Sequence, residues 1–128
     1  MKYSFREIVD PGSGKKFLVM DFDDKKYDIL SEFLFTEATL QSGRFVLEFL
    51  DSILSGIAKP VSPFVDPDYY GGNGRALEAS RDKTLVIDEL APDGMGDYCE
   101  VDTKKLRELV EVWLVKLAEF TEAQTQNH

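Results

Sequence analysis

Apolar and polar side chains alternate along the start of the chain: Tyr3, Phe5, Glu7 and Val9 take one side of a strand, and Ser4, Arg6 and Ile8 take the other. Asp10-Pro11-Gly12-Ser13-Gly14 follows, a turn in which proline presets φ and glycine supplies its positive values. Residues 16 to 22 (KFLVMDF) return as a second strand, so the pattern predicts an N-terminal hairpin. From residue 33 to 57 the period lengthens. Phe45, Phe49, Ile53 and Leu54, with Val46 and Leu50 beside them, recur at helical spacing. This helix is expected to begin near Thr39 or Ser42, with Gly43 weakening its first turn, and to stop at Ser55-Gly56, where glycine can take the left-handed cap.

Residues 59 to 74 carry three prolines and three glycines, which exclude a regular element across the whole stretch. Residues 75 to 80 and 84 to 90 then read as two strands joined by Arg81-Asp82-Lys83. In the second, Leu85, Ile87 and Glu89 alternate with Val86, Asp88 and Leu90. A loop over residues 91 to 97 leads to a short strand, 98 to 101. Thr103 is expected to cap a helix reaching about residue 121, whose stripe is Leu106, Leu109, Val110, Trp113, Leu114, Leu117 and Phe120. The order β-β-α-β-β-β-α predicts an α+β fold: an antiparallel sheet of about five strands with two main helices packed on it. Residues 1–123 form a single domain in this scheme, and 124–128 a frayed tail.

Composition supports a folded chain, since 128 residues with 43% hydrophobic content are enough for a core. The amino terminus has no apolar run after its charge, no segment approaches the length of a membrane span, and one cysteine allows no internal disulfide. These features lead us to expect a cytoplasmic protein. Charge changes the picture further. Between Val65 and Asp102 stand ten acids (Asp66, Asp68, Glu78, Asp82, Asp88, Glu89, Asp93, Asp97, Glu100, Asp102) against three bases (Arg75, Arg81, Lys83), −7 of the chain's formal −9. Such a field favours a basic partner and opposes nucleic acid or an anionic membrane.

Candidate chemistry is sparse. Asp21, Asp23 and Glu32 have calcium-loop spacing, but Lys25 and Lys26 occupy positions that need an oxygen ligand and a glycine. The single histidine, His128, stands at the end of the sequence, so neither a zinc site nor a nucleophile–histidine pair is expected, and Cys99 reads as a small buried apolar residue. Gly71-Gly72-Asn73-Gly74 precedes a strand rather than a helix, which suits a tight turn and not a phosphate cradle. No cofactor, no metal site and no catalytic pair emerges, and the expectation is a binding protein rather than an enzyme. A small carboxylate- or metal-dependent enzyme and a housekeeping binding module stay open as alternatives.

The layout resembles the immunity proteins of bacterial contact-dependent growth inhibition systems. An N-terminal hairpin is followed by the aromatic Phe33-Leu34-Phe35, a helix ending at Gly56, Gly72-Asn73-Gly74 before the paired strands, and a closing helix Thr-x-x-Leu-x-x-Leu-Val-x-x-Trp-Leu from Thr103 to Leu114. The resemblance covers most of the chain. It implies a cytoplasmic protein that neutralises one cognate toxin C-terminal domain, commonly a nuclease, by binding it. A nuclease is basic where it holds phosphate, so an acidic inhibitor suits such a partner. The contact residues expected from loop position and character are Asp66, Asp68, Tyr69, Tyr70, Asp93 and Asp97.

Overall fold

The computed structural model describes residues 1–56, 68–72, 74–90 and 97–126. Strands β1 (Tyr3–Val9) and β2 (Lys16–Phe22) pair antiparallel from Tyr3 opposite Phe22 to Val9 opposite Lys16. The turn between them is built by Asp10. Its carboxylate accepts from the Gly12 amide and the Ser13 hydroxyl, and its carbonyl accepts from Gly14, whose φ of 72° suits glycine. Leu18, Met20 and Phe22 of β2 are buried, whereas β1 is exposed apart from the half-buried Phe5.

A single 3₁₀ turn, Lys25–Tyr27, with Asp24 accepting from the Lys26 amide, opens into helix α1 (Asp28–Glu37). Its Leu30, Phe33 and Leu34 are fully buried. This helix is absent from the sequence-based expectation, which has two main helices rather than three. Two causes are local: its N-cap, Tyr27, makes no side-chain capping bond, and the run Phe33-Leu34-Phe35 shows no clear period. Thr39 and Ser42 then break the chain cleanly. Their hydroxyls lie 2.8 Å apart, each accepts from the other's amide, and Ser42 also bonds the carbonyl of Glu37.

Helix α2 (Gly43–Ser55) buries Gly43, Val46, Leu50 and Ile53, and ends as expected at Gly56, with φ 74° and its amide turned back to Ser52 and Ile53. Phe45 is 48% exposed, so the buried face is rotated from the one the phenylalanine spacing predicts. Gly43 also gains an explanation, because a Cβ there would run into the Leu114 side chain of the last helix. The glycine that weakens helix propensity lets two helices approach closely.

The remaining strands are β3 (Tyr69–Gly71), β4 (Arg75–Ala79), β5 (Lys83–Asp88) and β6 (Asp97–Asp102), antiparallel and in that spatial order. The α+β class is as predicted. Its strands form two sheets, of two and four strands, instead of one of about five. Helix α1 is the reason: it packs against β2 and also against β4, β5 and β6, keeping the hairpin from joining the larger sheet. Strand β3, three residues long beside the Gly-rich turn, is too short to show alternation in sequence.

Helix α3 (Thr103–Gln126) runs past the expected end near residue 121, taking in 124–126. Its stripe is as predicted, with Leu106, Leu109, Val110 and Trp113 buried and Leu114, Leu117 and Phe120 packed beside them. The Trp113 indole N–H donates to the carbonyl of Ala38 at 2.8 Å, tying α3 to the end of α1. The cap itself is Asp102, whose carboxylate accepts from the Lys105 amide at 3.0 Å. Thr103, expected to cap, is buried; its hydroxyl donates to the carbonyl of Ser80 at 2.6 Å and lies 2.8 Å from that of Thr84. No helix among the described residues is long and apolar enough to cross a membrane.

Candidate functional site

Successive side chains of a strand point to opposite faces, so register assigns each residue of β3–β6 to one side of the sheet. Leu77 lies opposite Val86, which lies opposite Cys99, and all three are in the core with Val101. This is the inner face. The outer face follows from the same pairing. One row runs Tyr69, Glu78, Leu85, Glu100; the next runs Gly71, Ala76, Ile87, Tyr98; Lys83 faces Asp102 at the end.

The described helices pack from the inner side, and the outer face carries an unusual mixture. Tyr98 is 65% exposed, Leu85 and Ile87 are half-buried, and Glu78, Glu100 and Asp102 are exposed. Ala76 in the middle of the face is buried, so the accessible apolar strip lies on its β5–β6 half. Among the described strand residues, Lys83 is the one base on this face. Arg75 belongs to the inner parity and reaches Glu32 of α1 at 3.1 Å, so it offsets none of the outer acids. Neither Glu78 nor Glu100 joins an ion pair among the described residues. The face is therefore apolar at its centre and negative around it.

Tyr69 stands at one margin, its ring over Gly71 and its hydroxyl donating to the carboxylate of Glu89. That hydrogen bond, helped by burial and by the negative charge of Glu89 and Glu78, pushes the phenol up to about 12. Tyr70, one residue on, points the opposite way. It packs on Phe49 with ring centroids 5.6 Å apart, and burial raises its phenol, with the nearby Glu37 adding to the effect. Glu37 is itself buried, against Gly72, where a Cβ would collide with its carboxylate. In the turn to β4 the Gly72 amide bonds the carbonyl of Arg75 at 2.9 Å, and Gly74 has φ 91°. Gly72 and Gly74 thus serve the tight entry into β4 that the sequence suggests, and pairing with β3, not expected from the sequence, makes that entry part of a hairpin.

Of the six residues expected as contacts, the four that are described do not converge. Asp66 and Asp93 lie outside the described residues. Tyr69 and Tyr70 take opposite faces of β3. Asp68 and Asp97 are both exposed, at diagonally opposite corners of the sheet. Asp68 aligns with Ala79, Thr84 and Val101, three strands and four residues from Asp97, roughly 20 Å at ordinary sheet spacings. The residues of the outer face that sequence reasoning did not single out are Glu78, Leu85, Ile87, Tyr98 and Glu100. The alternation of Leu85 and Ile87 with Val86 and Asp88 was the available signal.

Cys99 is buried, and burial pushes its thiol up to about 11, away from a reactive thiolate. Among the described residues no three His, Cys, Asp or Glu side chains gather as a metal site requires. An open, acidic and partly aromatic sheet face is suited to contact with another macromolecule.

No family model matches the chain, and no solved structure does. An immunity protein of Bacillus cereus is 32% identical over 127 residues, 98% of this chain and 97% of that one. A likeness of that extent runs through every element from the hairpin to α3, and the chain belongs to the same family of immunity proteins.

Proposed function

We propose that this immunity protein binds one cognate toxin domain in the cytoplasm and neutralises it stoichiometrically, and that the toxin is a nuclease with a basic active-site surface. The family membership carries the reading, and the formal charge of −9 supports its finer part. An acidic inhibitor meets the potential that a nuclease uses to hold phosphate, and it occupies or flanks that site in place of the substrate. Charge of opposite sign speeds encounter, toward roughly 10⁸ to 10⁹ M⁻¹s⁻¹ at low salt, which matters when one toxin molecule can damage a cell. Contact-dependent growth inhibition is the delivery system that fits the sequence resemblance. Asp68, Tyr69 and Asp97, together with Asp66 and Asp93, remain proposed contacts. Tyr70, turned toward Phe49, would act by holding β3 in place.

The test is co-purification with the polypeptide encoded immediately upstream of this chain, followed by calorimetry at low and high salt. The expected result is a tight one-to-one complex that weakens as salt rises. Tight binding indifferent to salt would keep the immunity role and remove the acidic mechanism. Absence of a complex, together with thermal stabilisation by a divalent ion, would overturn the reading in favour of a carboxylate enzyme.

A further inference from the structure

We infer that the outer face of β4, β5 and β6 is the surface on which the toxin docks, with Tyr98 as its central anchor and Glu78 and Glu100 as its charge partners; this rests on the toxin-neutralising reading above. Three observations converge on this face. The first is that Tyr98, Leu85 and Ile87 form an accessible apolar strip on a sheet whose other face is filled by the core. A tyrosine that is 65% exposed presents a large, rigid, amphipathic ring at little conformational cost, the property that makes tyrosine common at interface hot spots.

The second is the arrangement of charge. Glu78 and Glu100 flank Leu85 in one row, two strand spacings or about 10 Å apart, and Glu100 lies two residues from Tyr98 on the same strand face. A lysine or arginine of the partner can lay its aliphatic stem on Leu85 and Ile87, stack its head on Tyr98 and reach a carboxylate at the margin. Because the face holds Glu78, Glu100 and Asp102 against Lys83, it selects a basic partner. A second copy of this chain is disfavoured, since a two-fold contact would set the same carboxylates against each other.

The third is dimension. A standard protein interface covers about 800 Å² on each partner, some 30 Å across. A patch of that size centred on Leu85 spans the outer face from Tyr69 to Tyr98 and takes in Glu78, Glu100 and Asp102. Asp68 and Asp97, in register with inner-face residues, lie outside it.

The experiment measures binding of the upstream-encoded polypeptide to the intact chain and to three variants. Tyr98→Ala is expected to raise Kd roughly 30-fold or more, the scale of an interface hot spot. The double change Glu78→Lys and Glu100→Lys is expected to slow association roughly 10- to 100-fold at low salt, with the difference shrinking as salt rises. Glu108→Lys with Glu119→Lys tests a different apolar groove, where Phe5 of β1 meets Val112 and Val115 of α3, and is expected to change Kd less than about threefold. Circular dichroism on each variant separates lost contact from lost fold. Weakening by the α3 pair alone, or equal binding by all three variants, would overturn the sheet-face assignment and leave the immunity role intact. No binding by the unaltered chain would overturn the toxin reading, and this inference with it.

Discussion

The two faces of the four-stranded sheet share a backbone and differ in almost everything else. On the inner face Leu77, Val86, Cys99 and Val101 are 6% exposed or less, and they pack into a cluster with α1 and α3. On the outer face Tyr98 is 65% exposed and the carboxylates beside it are unpaired among the described residues. Residues one position apart therefore answer to different demands: the inner set holds the fold, and the outer set is the one proposed to meet the partner. The largest effects on stability should come from the inner face. Leu77→Ala, at a fully buried position, is expected to lower unfolding free energy by about 2–5 kcal/mol, measured by denaturant titration.

A polar bridge at the sheet's edge should come next. The single hydroxyl proton of Thr103 is used on the Ser80 carbonyl, so Thr84 must donate to Thr103. Thr103→Val keeps the shape and leaves the fully buried Thr84 hydroxyl without an acceptor, at a cost of about 1–3 kcal/mol. Adding Thr84→Val should recover part of that loss, because replacing both partners removes the unsatisfied group. A double-mutant cycle in denaturant measures the coupling, and strict additivity would show that the bridge is not cooperative.

Alkaline titration separates the faces by cause. Burial raises the Cys99 thiol from its ordinary 9.0 to about 11, while the Glu89 hydrogen bond leads the rise of the Tyr69 phenol from 10.0 to about 12. In both cases the folded chain keeps a proton that the unfolded chain releases, so stability falls as pH rises through the interval and levels off above it. The Cys99 contribution is lost between pH 9 and 11, and Cys99→Ala should flatten that part of the curve. Glu89→Gln should leave the thiol window unchanged and bring the Tyr69 phenol back toward 10 in an ultraviolet titration.

Much of the fold was legible because its signals are local. The α3 stripe from Leu106 to Phe120 holds helical spacing throughout, and the Asp10–Gly14 turn and the Gly56 cap are written in residues that few other conformations favour. Spacing misleads on α2. A step of four residues overshoots a full turn by about 40°, so Phe45, Phe49 and Ile53 walk round the helix until only Ile53 is buried. Sheet faces were less legible still, because Leu85 and Ile87 are as apolar as Val86. Which set turns inward is decided by pairing with Leu77 and Cys99 on other strands. The separation of Asp68 from Asp97 has the same origin, since the order of four antiparallel strands puts the starts of β3 and β6 at opposite ends.

The smallest expected effect is the most discriminating. Tyr98→Ala and Glu100→Lys change a large aromatic and a charge, yet neither side chain has an ion-pair or ring partner among the described residues that the substitution would strand. Each should therefore alter unfolding free energy by no more than about 0.5 kcal/mol, the ordinary range for surface changes. Glu100→Lys should if anything stabilise slightly, by relieving repulsion in a chain of formal charge −9. Denaturant midpoints read alongside toxin affinity then give a two-way test. Large losses of affinity at unchanged midpoints would assign the outer face to recognition. A loss of stability comparable to that of Leu77→Ala would mean instead that Tyr98 helps hold the fold, and the contrast between the two faces would fail at its most exposed residue.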